Sequence, residues 1–273
     1  MTAALKPGHY EHRYRILFSV MLGIIMAPID ASMVNVILPT LTEAFSSDVA
    51  TAQWVPMTYL LIISSTLLFF GRLGDISGYK KVFLWGLAGF VAASALCGLA
   101  TSMYWLIVFR CLQGIGAAMI MAVPLALITA CFPPNELGRA LGTYSISISA
   151  GLAIGPSFGG FIASALGWRF TFLINIPVGI LALFVAYKII PDLEGERSGH
   201  DIPGALAAFV FLFFLLLFIN RSQQGTIDLA TEGLLLVALV AGVSFVWREK
   251  TARRPMLNLD LFRNMTFTFA SVS

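Results

Sequence analysis

The chain has 273 residues, 58% of them hydrophobic and only 11% charged, with a formal net charge of +3. A globular domain carries about 25% charged residues, so a chain of mean hydropathy +0.87 cannot coat a water-facing surface, and most of its exterior must face lipid. A soluble fold, a disordered chain, a coiled coil and a disulfide scaffold are excluded together. Cys97, Cys111 and Cys131 lie inside apolar runs without CxxC or metal-ligand spacing, so they read as packing residues, and no metal site is expected.

A bilayer core about 30 Å thick needs about 20 apolar residues of helix. Eight such runs are predicted, at 15–38, 54–71, 82–100, 105–129, 140–165, 170–190, 202–219 and 229–247. The first carries Asp30 and ends in NVILP rather than a small-residue cleavage site, so it is predicted to be a retained span and not a signal peptide. Of the 17 Lys and Arg residues, Arg169 and Arg221 fall on one side of the bilayer, Arg110 lies inside a span, and all the others fall in the tail and alternate connections. The positive-inside rule then places the basic side and the N-terminus in the cytoplasm of a multi-pass protein of the plasma (cytoplasmic) membrane, and the net charge points to topology rather than to a nucleic-acid partner. The last nine residues, MTFTFASVS, begin another apolar segment too short to cross, so the chain reads as the front part of a longer transporter.

Away from the span ends, two formally charged side chains lie within the spans, Asp30 in the first and Arg110 in the fourth, and each costs several kcal/mol in lipid unless paired or hydrated. The helix rise puts both in the outer half of the bilayer at similar depth. Two readings stand side by side: a static ion pair joining two helices, or a protonatable carboxylate lining a water-filled cavity, with the arginine making its protonation state-dependent. On the fourth span Arg110, Gln113, Gly114, Ala117 and Met121 recur at helical spacing, a stripe suited to facing a cavity; on the first, Gly23, Met26, Ala27, Asp30, Met33 and Val34 do the same.

The fifth span holds Gly151, Gly155 and Gly159 at four-residue spacing with Pro156 and Gly160 beside them. One helix face is nearly bare there, so another helix can pack close and the helix can bend. Between the second and third spans stands GRLGDISGYKK, residues 71–81, in which Gly71 and Gly78 permit a tight cytoplasmic turn and Asp75 sits among Arg72, Lys80 and Lys81. Such a loop couples its helices rigidly and can pair with a facing helix end in one conformation only.

These segments resemble the major facilitator superfamily, and more closely its fourteen-helix branch of drug:proton antiporters. GRLGDISGYKK is similar to that family's loop motif, LIVFRCLQGIGAA at 106–118 to its fourth-helix motif, GLAIGPSFGG at 151–160 to its antiporter motif, and IDASMVNVILP at 29–39 to the first-helix motif of the fourteen-helix branch. QWVPMTYLL and WRFTFLINIPVGI are similar to that branch as well. The resemblance implies an all-α membrane protein: a cytoplasmic tail at 1–14, a six-helix bundle at 15–190, a cytoplasmic linker at 191–201, two extra transmembrane helices at 202–249, and a cytoplasmic loop with the start of a truncated ninth helix at 250–273. A second, C-terminal bundle is then missing from the chain.

By the same resemblance Asp30 and Arg110 take part in proton coupling; Gly71, Asp75, Gly78 and Lys80 form a conformational gate; and Gly151, Gly155, Pro156, Gly159 and Gly160 shape the antiporter helix. Ile76 and Tyr79 stand where the loop motif usually has arginines, which is expected to weaken the relay, and Ser32 stands for a usual threonine. Met26, Tyr59 and Gln113 are candidates for the substrate wall. The expected function is proton-coupled efflux of small amphipathic or cationic compounds by alternating access, with the bilayer, the substrate and the missing bundle as partners and the proton gradient in place of a cofactor. The alternatives are proton-coupled transport of a metabolite or amino acid, with Arg110 on a substrate carboxylate, and a transport-incompetent membrane fragment. An enzyme is not expected, since the spans contain no His, no paired carboxylates and no Ser/His/Asp set.

Overall fold

The computed structural model describes residues 11–192, 202–223 and 228–251. Most of the predicted tail at 1–14 and of the linker at 191–201, together with the predicted start of a ninth helix, lie outside the described residues. The elements in order are α1 (Arg13–Ile24), α2 (Met26–Ala44), α3 (Val49–Ser77), α4 (Tyr79–Gly98), α5 (Met103–Ala122), α6 (Pro124–Cys131), α7 (Pro134–Leu166), α8 (Arg169–Leu173), α9 (Asn175–Ile189), α10 (Ile202–Gln223) and α11 (Leu229–Thr251). No strand occurs among the described residues.

The eight predicted runs correspond to eight helices long and apolar enough to cross a membrane. Three of these spans are broken, α1 to α2 at Ile25, α5 to α6 at Val123 and α8 to α9 at Ile174. Each break lies just ahead of a proline, Pro28, Pro124 and Pro177. Proline has no N–H to donate, and its ring crowds the carbonyl four residues earlier, so the ladder is interrupted there. Pro156, where the helix is expected to be able to bend, sits inside the continuous α7.

Helix ends are set by short polar side chains and by glycine. The Asp48 carboxylate accepts from Thr51 N at 2.5 Å and starts α3, and that backbone hydrogen bond holds its carboxyl below the usual range. Ser102 Oγ accepts from Trp105 N at the start of α5. Gly78 and Gly167, both with φ of 95°, end α3 and α7, in a backbone region that a Cβ disfavours.

The chain divides into two compact units, Met1–Glu196 and Arg197–Ser273. In the first, α5 packs on α4 and α3, and α2 packs on α7. Close approach of α4 and α5 depends on missing side chains: a Cβ on Gly86 would lie 2.7 Å from Met119 Cβ, and one on Gly116 would lie 2.5 Å from Phe90 N. The buried apolar side chains form two clusters. One gathers Val20, Ile24, Ala27, Phe83, Phe90, Ala117 and Ala182; the other gathers Val34, Val55, Cys97, Leu106 and Phe172. On each of α2, α4 and α5, and on the broken helix α8–α9, the stretch between the two clusters carries a buried polar residue: Asp30, Ser94, Arg110 with Gln113, and Asn175.

In the second unit α10 packs on α11. The seam is made of buried Ala205, Ala208, Ala238 and Ala241, and Gly242 lets the Phe211 ring approach to 2.9 Å of where a Cβ would stand. Asp228 caps α11 by accepting from Thr231 N at 2.8 Å.

Candidate functional site

A polar residue in a span must find a partner within the protein, because lipid offers none. Arg110 and Gln113, three apart on α5, share one face and point into the same layer. There Arg110 Nη1 forms an ion pair with Asp30 Oδ2 of α2 and donates to Gln113 Oε1 at 2.6 Å. Gln113 Nε2 donates to Asp30 Oδ1 at 3.1 Å and to Ser94 Oγ of α4 at 2.8 Å, and Ser94 Oγ donates to the Phe90 carbonyl at 2.7 Å. From α9, Asn175 Nδ2 donates to Asp30 Oδ1 at 2.8 Å. From α3 come the Val55 carbonyl, which accepts from Arg110 Nε at 3.3 Å, and the Tyr59 ring, whose centroid lies 3.9 Å from the guanidinium carbon.

The Asp30 carboxylate thus meets three donors and no acceptor, the hydrogen-bonding environment of an anion. Asp30 is 1% exposed and Arg110 0%. A buried pair of this kind costs least when its remaining lone pairs and protons are also satisfied. Here one is not: Arg110 Nη2 has no hydrogen-bond partner.

In this conformation Asp30 does not line a water-filled cavity, and of the two readings of the charges the arrangement is that of the ion pair. The expected cavity-facing stripe on α5 is a packing seam: a Cβ on Gly114 would lie 3.0 Å from the Tyr59 carbonyl oxygen, and Ala117 is fully buried. The three candidates for the substrate wall are buried too. Tyr59 stacks on Arg110 and donates to the Ala27 carbonyl at 3.2 Å. Gln113 bridges Asp30 and Ser94, and Met26 lies against Gly179 of α9. To meet a ligand, each would have to leave these contacts.

The glycine series of α7 faces α2, the helix that carries Asp30. A Cβ on Gly151 would stand 3.0 Å from Pro28 Cγ, one on Gly155 would overlap Ser32 Oγ, and one on Gly159 would stand 2.8 Å from Met33 Cβ. Gly160 is looser, with Val36 Cγ1 at 3.7 Å. Ser32 Oγ donates to the Gly151 carbonyl at 3.4 Å as well as to Pro28 O at 2.9 Å in its own helix.

The segment 71–81 is not a loop flanked by two turning glycines. Helix α3 continues through Gly71 to Ser77, and Gly78 alone makes the turn into α4. Gly71 has nothing within 4 Å of where a Cβ would be. Asp75 accepts from Arg72 Nη1 at 3.3 Å and from the Tyr79 hydroxyl at 2.8 Å, so the tyrosine at the usual arginine position supplies a neutral partner to Asp75. Lys80 pairs with Asp192, just past α9, at 3.6 Å.

Two members of the network, Asn175 and Ser94, were not read from the sequence. The signal for Asn175 is a lone amide in an otherwise apolar run, which must hydrogen-bond across helices; Ser94 gives none, because serine can satisfy itself on its own helix. A clamp also joins the start of α1 to the first turn of α7: Glu136 accepts from Arg13 Nε at 2.9 Å, Arg13 Nη2 at 2.8 Å and the Tyr14 hydroxyl at 2.9 Å. Among the described residues no group of three or more His, Cys, Asp or Glu side chains could hold a metal ion.

The profile of the Major Facilitator Superfamily matches residues 20–272. The chain belongs to this superfamily. Curated superfamily relatives include the riboflavin transporter RibZ of Clostridioides difficile, 32% identical over 264 residues, or 96% of this chain and 57% of that protein. The tetracenomycin C resistance and export protein of Streptomyces glaucescens is 34% identical over 94% of this chain and 48% of its own length. The multidrug resistance protein Stp of Mycobacterium tuberculosis is 34% identical over 91% of this chain and 47% of its own length. The chain spans about half the length of the curated relatives it matches. The first of these is named as a transporter, the second as a resistance and export protein and the third as a multidrug resistance protein. In the fold, the chain is similar to a peptide transporter POT crystallised with sulfate, with a TM-score of 0.66 over 88% of this chain and 53% of that one at 13% identity.

Proposed function

We propose that the chain forms the proton-coupling half of an exporter of small amphipathic, cationic compounds in the fourteen-helix branch of the superfamily, working with a second bundle by alternating access in the cytoplasmic membrane, N-terminus inside. The observation that carries this is the placement of Asp30: a carboxylate buried where α2, α5 and α9 meet, held by Arg110, Gln113 and Asn175. Such a group is costly in lipid, and exchange of its partner is the use that repays that cost. In the paired state Arg110 neutralises it. When the helices part, the carboxylate loses the guanidinium and takes either a proton or a cationic substrate, so the two occupants exclude each other and their fluxes run in opposite directions.

The same reading assigns α7 a structural part, since its bare face lets α2 lie almost against backbone and fixes Asp30 relative to the bundle. Asp75, held between Arg72 and Tyr79, would act at the cytoplasmic gate together with Gly78 and Lys80. The named drug-resistance and export proteins among the relatives support the direction of transport.

A second reading is transport of an anionic metabolite. It is favoured by Arg110 Nη2, a buried donor without a partner. Efflux of a lipophilic cationic dye from cells carrying Asp30→Asn or Arg110→Ala separates the two readings. Loss of dye export in Asp30→Asn supports cation–proton exchange. Retained export in that variant, with loss of uptake of an anionic substrate in Arg110→Ala, supports the second.

A further inference from the structure

Outside the charge network the first unit carries a groove of about 580 Å³ between α4 and α9, lined by Lys81, Leu84, Trp85, Ala88, Ile180, Leu183, Phe184 and Tyr187. The two helices run antiparallel there, so Lys81 lies at the same end as Tyr187 while Ala88 faces Ile180 at the other. Trp85 is 70% exposed, so the groove opens outward, away from the Asp30 layer. Everything below its Lys81 end is apolar, which suits hydrocarbon.

The charged end is not neutralised. Lys80 pairs with Asp192, but Lys81 and Lys188 are both exposed, and neither makes an ion pair among the described residues. The Lys188 ammonium lies 4.3 Å from the centre of the Phe184 ring, which itself lines the groove. One lysine therefore lines the end of an apolar slot, and a second lies against a ring of its wall. From Lys81 to Ala88 the slot runs about 10 Å along α4, within one leaflet's share, about 15 Å, of the hydrocarbon core.

We propose that this groove is a binding site for an anionic glycerophospholipid, with one acyl chain lying along Leu84, Ala88, Ile180 and Leu183 and the phosphate between Lys81 and Lys188. Depth and charge select the occupant together. A neutral lipid would fill the slot without using the lysines, and a soluble anion would use the lysines without filling the slot. Basic pockets between spans on the cytoplasmic side are the usual setting for anionic headgroups. The sidedness alone rests on the orientation given above; the lipid readout below does not depend on transport.

The test is native mass spectrometry of the 273-residue chain released from nanodiscs holding equal amounts of phosphatidylglycerol and phosphatidylcholine. Retention of phosphatidylglycerol over phosphatidylcholine is expected. Each lysine near a headgroup contributes about fivefold, so K81Q/K188Q should remove most of the preference while leaving the chain folded. Ala88→Trp, which fills the slot and leaves both charges, should reduce retention of both lipids. Equal retention of the two lipids by the unaltered chain would overturn the proposal, as would an unchanged preference in K81Q/K188Q. Unchanged retention in a folded Ala88→Trp protein would show that the lipid sits elsewhere and would overturn it as well.

Discussion

Asn175, the first residue of α9, donates a 2.8 Å hydrogen bond to Oδ1 of Asp30, 145 positions away in the chain. It gives the carboxylate a partner that carries no charge and is independent of Arg110. When the ion pair opens, Asn175 can stay with Asp30 in either protonation state, because an amide both donates and accepts. In the exchange proposed above, that would make it a positioning residue.

Asn175→Ala should leave a buried acceptor short of one donor and lower stability by about 1–3 kcal/mol, measured by unfolding in mixed detergent micelles. Asn175→Asp should be worse, since it sets a second carboxylate against Asp30. Equal stability of the unaltered chain and Asn175→Ala would show that the hydrogen bond contributes nothing.

Removing one side of the ion pair should cost more than removing both. Arg110→Met leaves Asp30 buried without its cation, at about 3–5 kcal/mol, whereas the same change combined with Asp30→Asn leaves no stranded charge. A double-mutant cycle on unfolding free energies should therefore be strongly non-additive. Additivity would mean that the two groups do not depend on each other.

The glycines of α7 should rank by what they touch. Gly155→Ala and Gly159→Ala force atoms into α2, with a cost of about 1–3 kcal/mol, while Gly160→Ala meets only an ordinary contact with Val36 at 3.7 Å. Thermal unfolding of the three variants in one detergent checks the order, and similar melting temperatures would remove the close α2–α7 approach as a stabilising contact.

The two glycines at 71 and 78 should respond in opposite directions. Gly78→Ala places a Cβ at a φ of 95° and should cost about 1–3 kcal/mol. Gly71→Ala sits inside α3 with open space around it and should stabilise by about 0.5–1 kcal/mol. The same unfolding assay reads both.

These contrasts show which features the sequence makes legible. Eight spans follow from apolar runs alone, because lipid admits little else. Asp30 and Arg110 announce themselves because a charge in a span must be answered, and each is the other's natural partner. Asn175 and Ser94 are harder to see: an uncharged polar residue carries no sign by which to choose among partners, and the contact joins distant helices. Gly71 was read as a turn because glycine permits one, but helix propagation through 71–77 adds a backbone hydrogen bond per residue, and a turn there would forfeit them. The breaks ahead of Pro28, Pro124 and Pro177 have a clear cause in the missing N–H, yet Pro39, Pro56 and Pro156 sit inside continuous helices, so proline alone does not decide where a span is divided. The substrate wall is a different case: methionine, tyrosine and glutamine on helices fit a cavity and a packed core equally well, and in this conformation all three are buried in contacts among α2, α3, α5 and α9.

Infrared difference spectroscopy of the purified chain on acidification, compared with Asp30→Asn, tests Asp30 as the exchange site most directly. A protonated-carboxyl band that grows in the unaltered chain and is missing from Asp30→Asn is the predicted result. No such band, or one that persists in Asp30→Asn, would show a carboxylate that never gives up its guanidinium, and would contradict proton exchange at this position.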